Sequence, residues 1–114
     1  MDSATVIYKG QSYTAKYASF EIAAAANSDV VAAVTAKCIL VTAMWIAGTT
    51  GTVADVTFSS NATPLVPVVH LSAAGHQGLP GGFQYFKTVA GEKLNVAAAT
   101  AGVWGRLQYI EVDS

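Results

Sequence analysis

Turn-forming residues recur along the whole chain, at intervals that leave room for short strands but not for long helices. Glycine and asparagine accept the positive φ angles that tight turns often need. Strand-length segments separated by such turns are typical of a β-sandwich or a β-barrel. The predicted turns are residues 9–12, 27–29, 48–51, 59–62, 75–82, 90–92 and 101–102.

Between these turns, several segments alternate apolar and polar residues with a period of two, as half-buried strands do. This group comprises residues 19–22, 53–58 and 93–98. The segment 64–72 is predicted to be an edge strand, because Pro64 and Pro67 cannot donate to a strand ladder. The alanine-rich run 22–34 is interrupted at 27–29, so we predict at most a short helical turn near residues 23–26.

Two segments, 38–47 and 103–112, are apolar on both faces. Such strands are central in a sheet or lie against a partner. Unbroken alternation places Met44 and Ile46 on one side of the first segment, with Val41 and Trp45 on the other, and we expect Trp45 in the core.

In the second segment, alternation places Leu107 and Tyr109 on one face and Trp104, Ile110 and Val112 on the other. The whole chain, 1–114, is predicted to form a single all-β domain, an antiparallel β-sandwich. Residues 1–25 form either an N-terminal arm or the first strand pair of this domain.

The charge of the chain is low and limits the classes of partner. Charged residues make up 11% of the sequence, about half the usual fraction, and between Lys37 and Lys87 the only one is Asp55. A surface with so few charges is often covered by a partner. The formal net charge of −1 and the scattered basic residues predict no nucleic-acid partner.

The chain carries no sequence signal for a membrane or for export. The apolar run 30–47 contains Lys37 in its middle, and its uncharged part is too short to span a bilayer, so no membrane partner is expected. The first residues lack the pattern of a signal peptide, which predicts assembly in a cytoplasm.

Motifs for catalysis or cofactor binding are absent from the sequence. It has no nucleophile elbow, P-loop or dinucleotide fingerprint. His70, His76 and Cys38 lack the spacing of a zinc site, and Cys38 is expected to be a small buried hydrophobe. We therefore predict no enzyme activity, no cofactor and no metal.

Aromatic residues are the best candidates for a recognition surface, because they anchor protein interfaces and stack on sugars. Trp104 is predicted to lie either in the core or at the surface. The candidate interface residues are Tyr8, Tyr13, Tyr17, Phe83, Tyr85 and Trp104.

Four blocks of sequence, in order, resemble small β-sandwich structural proteins of tailed phages. They are residues 30–37 with the apolar strand that follows, then 71–83, 86–95 and 105–112. The most distinctive block is 86–95, with the pattern Phe-x-Thr-x-x-Gly-Glu-x-Leu-Asn. The resemblance covers residues 30–112, and the chain departs from it in the long glycine-rich loop 75–82.

This resemblance implies a jelly-roll-like sandwich displayed in multiple copies on the capsid surface of a virion after assembly in the host cytoplasm. Capsid decoration or cement proteins of this size bridge shell subunits, so the implied partners are a major capsid protein and further copies of the chain, as a dimer or trimer. Two alternatives stay open. One is a component of the neck, tail or fibre, and the other is a carbohydrate-binding module with coplanar aromatics from Trp104, Tyr85 and Phe83.

Overall fold

The computed structural model describes residues 5–23, 26–48, 54–65, 69–71, 76–79, 86–98 and 102–113. The described residues form strands and turns and contain no helix. The strands are β1 (Thr5–Tyr8), β2 (Gln11–Thr14), β3 (Lys16–Ile22), β4 (Ala26–Val31), β5 (Lys37–Gly48), β6 (Ala54–Ser60), β7 (Thr63–Pro64), β8 (Val69–Leu71), β9 (His76–Leu79), β10 (Phe86–Lys87), β11 (Leu94–Ala98) and β12 (Val103–Asp113).

From β3 onward, the strands pair in a nested order. The first pairs with the last, β3 with β12, and the second with the second-last, β4 with β11. Further inward, β5 pairs with β9 and β10, and β6 pairs with β7 and β8. All these pairs are antiparallel. The resulting sheets have the orders β10-β5-β12-β3, with β9 also on β5, and β4-β11-β6-β7, with β8 also on β6.

This nesting results when one long antiparallel ribbon folds over into two sheets, and it defines a jelly roll. We call the sheet that contains β5 and β12 the first sheet, and the sheet that contains β6 and β11 the second. The predicted antiparallel, jelly-roll-like sandwich is therefore confirmed. β5 is central, with β12 on one side and β9 and β10 on the other.

The two sheets face each other across one apolar core. Val56 and Phe58 of β6 and Leu94 and Val96 of β11 are fully buried, as their alternation predicted. Burying a side chain of this size stabilises the fold by about 1.5–3 kcal/mol relative to leaving it exposed. The first sheet contributes Phe20, Ile22, Ile39, Val41, Met44, Ile46, Val103 and Leu107 to the same core.

A β-bulge at Thr42 breaks the alternation of β5. Thr42 is skipped in the register between β5 and β12, and its hydroxyl donates to the side-chain Oε1 of Gln108 on β12 at 2.9 Å. Beyond the bulge the side chains change face, so Val41 lies in the same core as Met44 and Ile46. The prediction that Val41 opposes those two residues was wrong, because alternation alone does not show an inserted residue.

The N-terminal hairpin β1–β2 packs on the outer face of the first sheet. Its two-residue turn has positive φ at Lys9 (50°) and Gly10 (77°), as a type I′ turn requires. Tyr8 of this hairpin is buried, and so is Cys38 beneath it, as predicted for the cysteine. The cluster at this contact contains Val6, Tyr8, Ala15, Cys38, Leu40, Ile110 and Val112.

Other predicted turns and strands have mixed outcomes. Turns are confirmed at residues 9–10, 61–62 and 90–91. Residues 27–29, predicted as a turn, lie within β4, and residues 76–79 of the predicted loop form β9. Both segments are paired by distant strands, β11 and β5, whose pairing overrides the local turn preference. Residues 48–51 and 101–102 are only partly described. Of the predicted edge segment 64–72, Pro64 in β7 and residues 69–71 in β8 lie at the edge of the second sheet beside β6, whereas residues 66–68 and 72 lie outside the described residues.

The connection from β10 to β11 ties the two sheets together. Thr88 is buried, and its hydroxyl accepts a hydrogen bond from the Ile39 amide of β5 at 2.8 Å. The buried Ser60 of β6 donates to Glu92 Oε1 at 2.6 Å and accepts from the Val89 amide at 3.0 Å. The distinctive 86–95 block therefore has a structural role as a clamp between sheets.

Gly105 lies on β12 where three strands approach closely. A Cβ atom at this position would lie 2.8 Å from Ile46 Cγ2 and 3.0 Å from Phe20 Cζ, and would also collide with the Trp45 carbonyl oxygen. Only glycine fits here without movement of the neighbouring strand.

Candidate interaction surface

The outer face of the first sheet has two halves, and the N-terminal hairpin covers only one of them. The hairpin β1–β2 covers the half that contains Cys38, Leu40, Ile110 and Val112. The other half lies beyond the bulge and includes several exposed side chains. We call this second half the open face, and it consists of Tyr17, Ser19, Glu21, Trp45, Trp104, Arg106 and Gln108.

Two tryptophans dominate the open face. Trp45 on β5 and Trp104 on β12 are 39% and 43% exposed, and their ring centroids lie 4.6 Å apart with an interplanar angle of 69°. They are diagonal neighbours, because Trp45 pairs with Arg106, two residues beyond Trp104. The expectation that Trp45 lies in the core was wrong, because Met44 and Ile46 take the core side of the strand at this point.

Hydrogen bonds and a ring contact hold Tyr17, Arg106 and Gln108 of the open face in place. The Arg106 guanidinium lies 4.7 Å from the ring centroid of Tyr17, which is 46% exposed. Gln108 Nε2 donates to the Tyr17 hydroxyl oxygen at 3.1 Å, and the same amide accepts from Thr42 at the bulge. Side chains fixed before contact lose little entropy on binding, so the face is suited to recognition.

The candidate residues from the sequence fall in different places. Tyr17 and Trp104 lie on the open face, whereas Tyr8 of β1 is buried between the hairpin and the first sheet. Tyr13 is half-buried and contacts Tyr8 edge-on, with centroids 6.2 Å apart. Tyr8 and Tyr13 are therefore brought together with each other but not with Tyr17 and Trp104. Phe83 and Tyr85 lie outside the described residues.

Sequence reasoning missed Trp45 and Arg106 as members of this surface. The signal that could have found them is the register of β5 against β12, which aligns the two residues across neighbouring strands. That register depends on the bulge at Thr42, and no local sequence pattern indicates this bulge.

The charged residues of the open face are Arg106 and Glu21. Within the described ranges, neither forms a salt bridge, although both are exposed. The described salt bridges all lie elsewhere, and they join Lys16 to Glu111, Lys37 to Asp113 and Lys93 to Asp29. The hydrogen bonds to Glu111 and Asp113 raise the pKa values of Lys16 and Lys37.

The outer face of the second sheet is polar instead. Asn95 Nδ2 donates to Asp29 Oδ1 at 2.9 Å and to Asn27 Oδ1 at 3.1 Å. The Asn95 hydrogen bond and then Lys93 lower the pKa of Asp29. These side chains line a shallow, open depression of about 590 Å³, in which the polar groups satisfy one another.

Among the described residues, no three His, Cys, Asp or Glu side chains form a group that could hold a metal ion. In the same part of the chain, no helix has the length and hydropathy needed to cross a membrane.

Comparison of the chain with models of known protein families, with curated proteins and with solved structures finds no match. The strand pairing and the side-chain geometry therefore define the class of protein by themselves. That class is a jelly-roll β-sandwich with an aromatic, partly uncovered sheet face.

Proposed function

We propose that this protein is a structural component of a tailed-phage particle, and specifically a capsid decoration protein that bridges and stabilises shell subunits. It acts by contact and not by catalysis. The observation that carries the proposal is the outer face of the first sheet, where the hairpin covers only one half and Trp45 and Trp104 are exposed on the other. The sequence resemblance supplies the setting, a virion.

The open face provides a modest contact energy. An aromatic side chain has about 150–250 Å² to bury, so a tryptophan that is 43% exposed still offers about 100 Å². At about 25 cal/mol per Å², this is about 2.5 kcal/mol for each ring. Together, Tyr17, Trp45 and Trp104 give about 7 kcal/mol, which is comparable to the estimated cost of association of about 4–15 kcal/mol.

With a contact energy of this size, a single open face binds weakly, but many copies in an array bind tightly. Linked copies raise the effective concentration of each further contact, so avidity exceeds the single-site affinity by a large factor. This favours a protein that is repeated by the symmetry of a shell. The low charge of the chain also reduces the cost of desolvating charged groups at each contact.

The carbohydrate-binding alternative has less support. Stacking of a sugar on several rings needs them to be coplanar, but the planes of Trp45 and Trp104 meet at 69°. A neck, tail or fibre component would use the same kind of contact surface and would differ in copy number.

The decisive measurement is the copy number of the protein in purified particles, by quantitative mass spectrometry against the major capsid protein. A decoration protein gives a near-stoichiometric ratio, and particles that lack it lose resistance to heat and low salt. A handful of copies would move the protein to the neck, tail or fibre. Absence from particles would overturn the proposal.

A matched pair of variants tests whether the open face makes the contact in the particle. Trp104→Gln should reduce incorporation into particles. Ile7→Gln should not, because Ile7 is 64% exposed on the hairpin, away from the open face. Equal incorporation of the two variants would exclude the open face as the contact.

A further inference from the structure

We infer that the open face binds the open face of a second copy, so that the protein forms a two-fold dimer through its first sheet. The inference rests on the proposed function, because it names the partner of the same surface. A dimer joined in this way has two identical second sheets on its outside, and such a unit can bridge two equivalent sites.

The charges of the open face restrict its partner. Arg106 lies over the Tyr17 ring instead of pairing with Glu21, which is diagonally placed on the neighbouring strand. Covering the face without opposite charges would leave both groups desolvated and unpaired, which is strongly unfavourable. A uniformly acidic partner is repelled by Glu21, and a uniformly basic one is repelled by Arg106.

A second copy supplies both missing charges. In a two-fold interface the same patch appears on both sides, and a contact of one residue with another is always made twice. An axis that passes between Arg106 and Glu21 puts each of them opposite the other residue of the second copy. Trp104, which pairs directly with Glu21 across the strands, then lies close to the axis. With a formal net charge of −1, the two copies hardly repel each other.

The size of the face sets the expected affinity. The open face lies on three strands about 4.8 Å apart and spans about five positions at about 3.3 Å per residue, which makes a patch of about 240 Å² in projection. This is smaller than the roughly 800 Å² per partner of a standard stable interface. We therefore expect a dissociation constant on the order of 10–100 µM, so the dimer should appear only at high concentration.

Charge exchange tests the inference with purified full-length protein. Arg106→Glu and Glu21→Arg should each weaken self-association at least tenfold in sedimentation velocity from 1 µM to 1 mM. Mixing the two variants should restore association as a heterodimer, because each variant then meets a face of opposite charge. The double variant should also recover.

Lys9→Glu is the matched control for Arg106→Glu. It changes the net charge by the same amount but lies at the hairpin turn, so it should not alter association. Circular dichroism checks that each variant is folded. If one charge variant does not fold, Trp104→Gln and Ile7→Gln test the same face, and only Trp104→Gln should weaken the dimer. A wild-type monomer at 1 mM would overturn the inference, and so would charge variants that do not recover on mixing.

This experiment needs no particle, so its outcome is separate from that of the copy-number measurement. If the protein dimerises in solution but is absent from particles, the inferred dimer stands and the proposed function is wrong. If it is monomeric in solution but abundant in particles, the proposed function stands and the inferred dimer is wrong.

Discussion

The hydroxyl of Thr88 should contribute more to the free energy of unfolding than its methyl group does. In Thr88→Val the side chain keeps its shape, but the amide of Ile39 loses the acceptor that lies 2.8 Å away. Ile39 is fully buried, so water cannot replace that acceptor. An unsatisfied buried donor costs about 1–3 kcal/mol, and we expect a loss of about 2 kcal/mol in the free energy of unfolding. For a domain of about 100 residues this lowers Tm by about 10 °C.

Two further variants separate the hydroxyl from other effects. Thr88→Ser keeps the acceptor and removes one methyl group, which should cost about 1 kcal/mol. Thr57→Val changes a half-buried threonine on β6 and should stay within about 0.5 kcal/mol of the wild type. Denaturant unfolding gives all three values, with unchanged slopes if the unfolded state is unaffected. A Thr88→Val protein as stable as Thr88→Ser would refute the reasoning.

Three other changes have expected outcomes. Gly105→Ala should lower the stability by more than about 2 kcal/mol, because overpacking a tight core forces neighbours to move; a melting curve like that of the wild type would contradict this. The Cys38 thiol should react with a thiol reagent only after denaturation, because it is buried. The Asn95 hydrogen bond and Lys93 lower the pKa of Asp29, so its contribution to stability is present above the ordinary carboxyl pKa and is lost as the pH falls through the lower folded value. Asp29→Asn should therefore reduce the loss of urea resistance between pH 5 and pH 2, and an unchanged pH profile would exclude Asp29 as a contributor.

The parts of the fold that could be predicted from the sequence are those determined by local constraints. β11 was recognised because only one of its faces is apolar, so alternation shows directly which residues are buried. The turns at residues 9–10 and 61–62 were recognised because Gly10 and Asn61 have positive φ angles, which few other residues adopt easily. In these segments the local preference and the tertiary structure agree.

The predictions that failed concern segments whose structure depends on residues distant in sequence. The glycine-rich residues 76–79 resemble a loop, but the edge of β5 is available to them and they form β9. The bulge at Thr42 is stabilised by Gln108, which lies 66 residues further along the chain. Trp45 was misassigned because a strand that is apolar on both faces does not reveal which face the protein itself covers.

The lengths of the strands explain why half of the outer face stays open. The hairpin strands have four residues each and are about 14 Å long, whereas β5 has 12 residues and is about 40 Å long. The hairpin can therefore cover only one end of the sheet, and the tryptophans lie at the other. An exposed apolar patch is an aggregation hazard, and charged residues beside it limit indiscriminate contact. Arg106 and Glu21 are placed to do this, because they oppose any partner that does not present both opposite charges at matching positions. Such a combination of exposed aromatic rings and two opposite charges is what the proposed contact with a second copy requires.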